Sequence, residues 1–448
     1  MDIQRGMDRA GVDRRGFLRL SAVAASVGLA GIEGILAARR APAWAQGTTL
    51  HIVRWNDFIP EADVELKGQM ASAGKALGAK ITLETINAND LQPRLTAAIQ
   101  SRSGADIFHM FYNWPQLYAK ALVDVSDVAE AVAKTQGGFY DVYAPSAKVG
   151  GQWLAMPHSI VGNAVAYRKS WFAEVGAGEF PKTWEELRRV AGALKKKGHP
   201  YGQTLGHTFG DAPTFTYSLL WSFGGAETDR TGRTVVLGGA PAIDSVAFLQ
   251  TLWKEACDEG GLAWDDTNNN RAFHAGEICA TLNGASIYIV AKRQPDKIRD
   301  ENGKPLWEDI DHAPLPAGPA GQFPLYLNME HGVMEYSPNQ KLAKDLLRWM
   351  HERANFEKWF EACGGYSVAA TTSWEGHPMW QKLDKPLQIF RTAARRTRIF
   401  GYAGPSTARA TEAFSKYIIT DMYAKAAQGM KAEDAVKWAA QELRKIYG

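Results

Sequence analysis

The sequence predicts an α/β protein with two domains, and three observations support this prediction. Strand-like and helix-like segments alternate as βαβαβ over residues 50–111, an order that favours a parallel sheet with right-handed crossovers. About 400 residues follow the first 45, which is more than one hydrophobic core usually organises. No repetitive or low-complexity linker divides the chain, so we expect it to cross between the domains more than once.

The elements of this opening follow the spacing of apolar residues. Residues 50–53 and 80–86 are rich in β-branched side chains and predict the first two strands. A helix is predicted over 61–77, and a second begins near Asp90, which we expect to be its N-cap. Residues 106–111 predict the third strand.

Thr183 begins the clearest helix signal in the chain. It lies three residues before Glu186, which is the spacing of a capping box, and the helix should run to about Lys197. The long apolar run over 153–168 predicts extended structure. Helical periodicity returns over residues 215–223, 242–259, 340–362, 407–427 and 431–446.

The first 45 residues have the pattern of a cleavable export signal. Arg14 and Arg15 precede an apolar stretch of about 13 residues, shorter than the roughly 20 that a membrane-spanning helix needs. Ala43-Trp44-Ala45 supplies the small-x-small pattern of a signal peptidase site. The arginine pair resembles a twin-arginine signal, so we expect a periplasmic protein. A retained N-terminal anchor is the alternative.

The chain without this segment is electrically balanced. The sequence has 51 Lys and Arg against 48 Asp and Glu; seven of the basic and four of the acidic residues lie in the first 45, which leaves 44 of each. Nucleic acids and anionic membranes need a basic excess or stripe. We therefore expect no nucleic-acid partner.

The cysteines do not form a recognisable framework. Cys257, Cys279 and Cys363 are odd in number and match no zinc or iron–sulfur spacing. We therefore expect buried free thiols, or at most one disulfide, and neither a metal nor a cofactor.

Several short motifs, in one order along the chain, resemble a known family. They are Gly104-Ala105-Asp106, Trp153-Leu154-Ala155-Met156-Pro157, Pro181-Lys182-Thr183-Trp184, Phe273-His274-Ala275-Gly276-Glu277 with Asn283-Gly284, the Pro-rich residues 313–319, and Gly332 with Ser337-Pro338-Asn339. Together they resemble the family 1 extracellular solute-binding proteins of ABC importers, the group that includes maltose- and other sugar-binding proteins. The resemblance runs from about residue 48 to the C-terminus.

The resemblance implies a two-lobe periplasmic-binding-protein fold, whose discontinuous, hinge-linked lobes close on a ligand. Lobe one would take residues 47–158 and 330–373, and lobe two residues 161–326 and 376–448. The hinge strands would lie near 157–161 and 325–330. The implied function is that of a monomeric receptor without catalytic residues, which captures a small-molecule solute, most often a sugar, and delivers it to an ABC permease in the cytoplasmic membrane.

Ligands of open α/β sheets bind beyond the carboxyl ends of the strands. Trp55, Asn56 and Asp57 follow the first strand, and Tyr112, Asn113 and Trp114 follow the third. Both tips combine a flat aromatic ring, which can stack on a sugar, with groups that hydrogen-bond hydroxyls. The alternative role of each tip is a loop that caps the next helix.

Further candidates lie in lobe two and at the hinge. Tyr217 and Trp221 are four residues apart on one helical face, where a core aromatic pair is the alternative. The other candidates are Asn283, Gly284, Ser286 and Tyr288 after the matched segment, His158 and Asn163 at the first crossing, Glu330 and His331 at the second, and Tyr366 and Tyr402.

Two alternatives to a sugar receptor stay open. The solute could instead be a polyol, a phosphorylated glycerol or a polyamine; a polyamine site needs clustered carboxylates with aromatics, which Asp57 and Glu330 alone scarcely supply. An exported glycan hydrolase needs a carboxylate pair, for which Asp265 and Asp266 are the candidates. Neighbours in an extended segment point to opposite sides, so we interpret this pair as part of a solvated turn. No serine elbow, His-Glu-x-x-His or P-loop motif occurs in the sequence.

Overall fold

The computed structural model describes residues 47–448 and shows two α/β lobes. The predicted export signal lies outside these residues. Within them, no helix combines the length and the apolar character that crossing a membrane requires.

Lobe one begins with the predicted βαβαβ unit. Its elements are β1 (Thr49–Trp55), α1 (Pro60–Leu77), β2 (Lys80–Ile86), α2 (Ala88–Ser101) and β3 (Ile107–Phe111). β1 lies between the other two strands and pairs in parallel with both. The carboxyl ends of the three strands therefore meet at one edge of the sheet.

Three short helices and a hairpin then lead to the hinge. They are α3 (Trp114–Leu117), α4 (Ser126–Thr135), α5 (Tyr143–Ala147), β4 (Lys148–Val149) and β5 (Gln152–Trp153). β6 (Met156–Val161) belongs to the sheet of lobe one, and the chain passes from it directly into lobe two.

Lobe two is built around a smaller sheet. Its elements are β7 (Ala164–Arg168), α6 (Lys169–Glu174), α7 (Trp184–Lys195), α8 (Asp211–Ser222), α9 (Ala240–Ala256), α10 (Asn268–His274), β8 (Ala280–Asn283), α11 (Ser286–Arg293) and β9 (Ile310–Ala313). β7 is the central strand and pairs antiparallel with β8 and β9. Helices α7, α8 and α9 bury apolar side chains in the core of this lobe.

The chain then returns to complete the first sheet. It adds β10 (Leu327–Val333), α12 (Gln340–His351), α13 (Arg353–Cys363) and β11 (Ser367–Ala369). The strand order is β11-β6-β10-β3-β1-β2, with β10 antiparallel to β3 and β6, and β11 antiparallel to β6. The sheet is thus parallel in its first half, as predicted, and mixed as a whole.

The last part of the chain crosses to lobe two once more. It contains α14 (Met379–Lys382), α15 (Ala408–Ser415), α16 (Ile418–Ala427) and α17 (Ala432–Tyr447). Trp380 still packs against Phe360 of lobe one, whereas Asp384 accepts a hydrogen bond from Tyr288 of lobe two. We therefore place this crossing near residue 383 rather than at residues 374–375.

The local signals explain most helix boundaries. The capping box at α7 is confirmed, because Thr183 Oγ1 accepts from Glu186 N at 3.2 Å and the Glu186 carboxylate accepts from Thr183 N at 3.2 Å. The prediction of Asp90 as an N-cap is wrong, because the Asn87 side chain caps α2 and Asp90 lies in its first turn. The predicted helix over 340–362 is two helices, since Glu352 is extended between them.

The remaining long prediction, over 407–427, is also divided. Tyr417 adopts a left-handed conformation with φ 54° between α15 and α16. The three cysteines are buried and free, which confirms the prediction of buried thiols.

Candidate functional site

A cavity lies between the two lobes beside the hinge strands. Its lining residues are Trp55, Phe58 and Tyr366 from lobe one, Val161, Asn163 and Leu327 from the hinge, and Phe209, Gly210, Asp211, Asp266, Asn283 and Gly284 from lobe two. Because both lobes supply walls, the cavity exists only when they come together.

The lobes touch each other around this cavity. The Tyr112 hydroxyl of lobe one donates to the Phe209 carbonyl oxygen of lobe two at 3.0 Å. Asn113 Nδ2 donates to Ser406 Oγ at 2.7 Å. Arg293 of lobe two pairs with Glu61 of lobe one at 2.6 Å. The structure therefore has a closed arrangement of the lobes.

The wall from lobe one is aromatic. Trp55, the last residue of β1, is fully buried, and its ring lies edge-on to Phe209 at 5.8 Å and nearly parallel to Tyr366 at 6.4 Å. Trp55 Nε1 is buried but donates no hydrogen bond to any described residue. A buried donor without an acceptor is uncommon in folded proteins, so this indole can donate to a bound molecule.

The wall from lobe two carries carboxylates in a fixed arrangement. Asp266 accepts from the backbone N–H groups of Gly210 and Asp211 at 3.0 and 2.7 Å. These bonds hold the start of α8 at the cavity. A Cβ on Gly210 would lie 2.8 Å from Asp266 Oδ2, so the approach requires glycine at this position.

Asp211 and Asp266 share a site with little water. Burial, followed by repulsion from Asp266, raises the pKa of Asp211 well above its ordinary value. Burial also raises the pKa of Asp266, to about 6. Among residues 47–448, no lysine or arginine lines the cavity. The pair must therefore hold a proton or receive a positive charge from outside.

Five of the residues that the sequence predicts for the site lie in the cavity wall: Trp55, Asn163, Asn283, Gly284 and Tyr366. Ser286 lies behind this wall, and its hydroxyl donates to Asn283 Oδ1 at 3.0 Å. It therefore orients a lining residue without reaching the cavity.

The predicted residues that follow β1 and β3 mainly form contacts around the cavity. Asp57 is buried beside Trp55, and its Oδ1 accepts from Ile59 N at 2.9 Å. Tyr112 and Asn113 form the contacts between the lobes already described. Trp114 is buried against Phe111, with ring centroids 5.2 Å apart.

Other predicted residues lie away from the cavity. Asn56 is exposed beyond β1. Tyr217 and Trp221 belong to the core of lobe two, where Tyr217 packs on Phe400 at 4.9 Å. The side chains of Tyr288 and Tyr402 contact Asp384 and Arg398 respectively.

The polar residues of the hinge strands point into lobe one. Glu330 Oε1 accepts from Ser146 Oγ at 2.9 Å and from Asn328 Nδ2 at 2.6 Å. His331 lies against His158, with ring centroids 4.6 Å apart. Three of the four predicted hinge residues are thus buried in the lobe-one core, namely His158, Glu330 and His331, whereas Asn163 lines the cavity.

Sequence reasoning did not select several lining residues. The interpretation of Asp266 as part of a solvated turn is wrong, because its carboxylate is buried and bonded to the start of α8. Asp211 had a usable signal, since an acidic residue after a glycine is typical of a helix N-terminus. Phe58, Phe209 and Leu327 are ordinary apolar residues without a distinguishing signal.

The sequence matches a family model over residues 69–355, and the description of that family is bacterial extracellular solute-binding protein. A "Probable ABC transporter-binding protein" of Deinococcus radiodurans is 26% identical over 257 residues, which span 55% of this chain and 58% of that protein. The alignment thus spans less than two thirds of the length of this curated relative.

Solved structures share the fold over most of the chain. The maltose-bound MalE3 of T. maritima has a TM-score of 0.74 at 19% identity and covers 89% of this chain and 99% of its own. A solute-binding protein of an ABC transporter from Agrobacterium radiobacter, in complex with ribitol, has a TM-score of 0.72 at 20% identity, with 90% and 99% covered. At these identities the likeness establishes the two-lobe fold.

Proposed function

The chain belongs to the bacterial extracellular solute-binding protein family, and on that premise we propose that it is the exported receptor of an ABC importer. In this proposal the N-terminal segment directs export, through a twin-arginine route, and is then removed. The protein captures a small solute between its lobes and presents it to a permease in the cytoplasmic membrane.

The observation that carries this proposal is the cavity between the lobes. Its walls come from both lobes, and the lobes touch around it through the Tyr112–Phe209 and Asn113–Ser406 hydrogen bonds. A solute that contacts both walls stabilises the closed form, because it binds that form more tightly than the open one. Closure then creates the surface that a permease recognises.

The lining of the cavity favours a solute that combines apolar faces with hydroxyl groups. Trp55 and Tyr366 offer aromatic faces, and Asn163 and Asn283 offer amides for hydroxyl groups. The ligands named for two structural neighbours, maltose and ribitol, agree with a sugar or polyol class.

The lobe-two wall favours a binding protein over an enzyme. Both oxygens of Asp266 accept backbone N–H groups, so this carboxylate is held as a structural support. A glycan hydrolase needs two carboxyl groups that are free to reach the scissile bond. We therefore assign no reaction to the protein.

A thermal-shift screen of the purified protein against sugars, polyols, polyamines and phosphate esters tests this proposal. A solute that binds only the folded state adds RT ln(1 + [L]/Kd) to its stability, about 4 kcal/mol at a thousand-fold excess over Kd. We expect a large shift with sugars or polyols, reduced in Trp55→Ala and kept in Tyr288→Phe, whose side chain lies outside the cavity. The absence of a shift with every class, or turnover of chromogenic glycosides, would contradict the proposal.

A further inference from the structure

The cavity wall holds two buried carboxyl groups and, among the described residues, no cationic side chain that could balance a negative charge on them. Asp211 and Asp266 both line the cavity, both are more than nine-tenths buried, and no lysine or arginine of the described chain joins them in its wall. The guanidinium of Arg54, in β1 of lobe one, is fully buried and interacts electrostatically with Asp57. The lining therefore contains two carboxyl groups and no cationic side chain.

The two carboxyl groups differ in their freedom to bind. Both oxygens of Asp266 are occupied by the N–H groups of Gly210 and Asp211. Asp211 accepts from Asn269 Nδ2 through Oδ2 at 2.7 Å. Its Oδ1 accepts no hydrogen bond from any described residue, so Asp211 Oδ1 is the open acceptor of this wall.

The surroundings of Asp211 suit a cation. Asp211 is the first residue of α8, where the helix dipole stabilises a negative charge. The aromatic residues Trp55, Phe209 and Tyr366 lie around the same cavity, and aromatic faces attract ammonium groups. When a cation enters, it replaces the proton that the raised pKa of Asp211 otherwise retains.

The uncharged polar groups of the lining require hydrogen-bond partners, which hydroxyl groups of a solute can supply. Trp55 Nε1 is a buried donor without an acceptor among the described residues. The Asn163 side chain makes no hydrogen bond within the described chain, and it lines the cavity at 7% exposure. An ammonium alone leaves both of these groups without partners, whereas hydroxyl groups satisfy them.

Resting on the proposed receptor function, we propose that the solute is an amino sugar or amino polyol, with its ammonium on Asp211 Oδ1. Its hydroxyl groups contact Trp55 Nε1 and Asn163, and its carbon skeleton packs on the aromatic wall. In this proposal, the receptor selects its solute by the positive charge of the amine and not by the sugar ring.

Matched pairs of solutes test this assignment by calorimetric titration at pH 7. D-glucosamine with D-glucose, and glucamine with sorbitol, differ by an amine in place of one hydroxyl, and N-acetyl-D-glucosamine keeps the nitrogen without the charge. We expect the amine of at least one pair to bind about tenfold or more tightly than its hydroxyl and N-acetyl counterparts. Raised salt should weaken only the amine.

Asp211→Asn provides the matched variant, because it keeps the shape and one acceptor oxygen but removes the charge. We expect it to abolish the preference for the amine, so that the amine and its hydroxyl partner bind the variant with similar affinities. Thermal unfolding checks that the variant is folded; if it is not, the comparison of the three solutes on the wild-type protein decides alone.

The other outcomes of the titrations and of the thermal-shift screen separate the amine assignment from the receptor proposal. Equal or tighter binding of the hydroxyl partner overturns the amine assignment and leaves the receptor proposal standing. Binding of only a phosphate ester or an unhydroxylated polyamine also overturns the amine assignment and leaves a receptor. Failure of every solute class in the thermal-shift screen overturns both.

Discussion

The two walls of the cavity are built in different ways. The lobe-two wall is held by directed hydrogen bonds, in which Asp266 fixes the backbone of Gly210 and Asp211. The lobe-one wall consists of Trp55, Phe58 and Tyr366, which pack against each other with centroids 5.8–6.4 Å apart. The lobe-two wall therefore fixes the positions of polar atoms, and the lobe-one wall supplies apolar contact area.

The buried carboxylates of the two lobes also differ in their hydrogen bonds. In lobe two, the buried Asp266 has partners on both oxygens. In lobe one, the buried Glu330 has partners on Oε1, while Oε2 contacts no donor among the described residues. The buried carboxylate of lobe two is therefore fully paired, whereas that of lobe one has one oxygen without a donor among the described residues.

The largest effect should come from Asp266→Ala in the lobe-two wall. The substitution leaves the backbone N–H groups of Gly210 and Asp211 buried without an acceptor, at about 1–3 kcal/mol for each group. We expect the free energy of unfolding to fall by about 3 kcal/mol in urea titrations, with loss of solute binding. Asp266→Asn, which keeps one acceptor oxygen, should lose less. Equal stability of wild type and Asp266→Ala would show that this wall is not held by the carboxylate.

Glu330→Gln should stabilise the protein at high pH, where the wild type carries an ionised carboxylate in the core of lobe one. Burial raises the pKa of Glu330 from 4.5 to about 8, so the folded protein holds a proton that the unfolded chain releases. The wild type should therefore lose stability as the pH rises from about 4.5 to about 8.

Glu330→Gln removes this loss. We expect it to be several kcal/mol more stable than wild type at pH 9, because each pKa unit between 4.5 and about 8 corresponds to about 1.4 kcal/mol. Urea titrations at pH 5, 7 and 9 measure the effect. The exposed Glu130→Gln is the control and should follow the wild type at each pH. A parallel fall in wild type and Glu330→Gln would contradict the assigned pKa.

Trp55→Ala should weaken binding through lost contact area. An aromatic face on a solute contributes about 1–2 kcal/mol, so we expect the Kd to rise about tenfold or more in calorimetric titrations. Trp55→Phe keeps a flat ring but loses the indole N–H. Its Kd should lie between those of the wild type and Trp55→Ala. An unchanged Kd in Trp55→Ala would place the solute away from the lobe-one wall.

The smallest effect should come from the ion pair between the lobes, Arg293–Glu61. Both partners are partly exposed, and such pairs contribute about 0.2–1 kcal/mol. Arg293→Ala should raise the Kd about twofold, and the effect should disappear in high salt. Arg299→Ala, which breaks a pair with Asp296 within lobe two, is the control. A tenfold effect would mean that this contact controls closure.

The sequence predicted the elements that depend on local signals. β2 occupies residues 80–86 as predicted, and the Thr183–Glu186 box begins α7. It did not predict the divisions at Glu352 and Tyr417, because apolar periodicity continues across both positions.

Sequence reasoning selected cavity-lining residues at a strand end and at the hinge, such as Trp55 and Asn163. It did not select residues whose side chains are oriented by long-range contacts. Asp266 reaches the cavity because it bonds to the backbone of Gly210 and Asp211, some 55 residues earlier in the chain. The direction of a carboxylate that depends on such a contact cannot be derived from its neighbours in sequence.

The central claim is that the solute binds between the two walls. It is tested most directly by titrating a solute that the wild type binds into two variants, one inside the cavity wall and one outside it. Calorimetry would compare Asp211→Ala, in the cavity wall, with Tyr288→Phe, whose hydroxyl contacts Asp384 outside the cavity. We predict that Asp211→Ala loses about a hundredfold or more in affinity and that Tyr288→Phe binds as the wild type does. Wild-type affinity in Asp211→Ala, with or without a loss in Tyr288→Phe, would contradict the account.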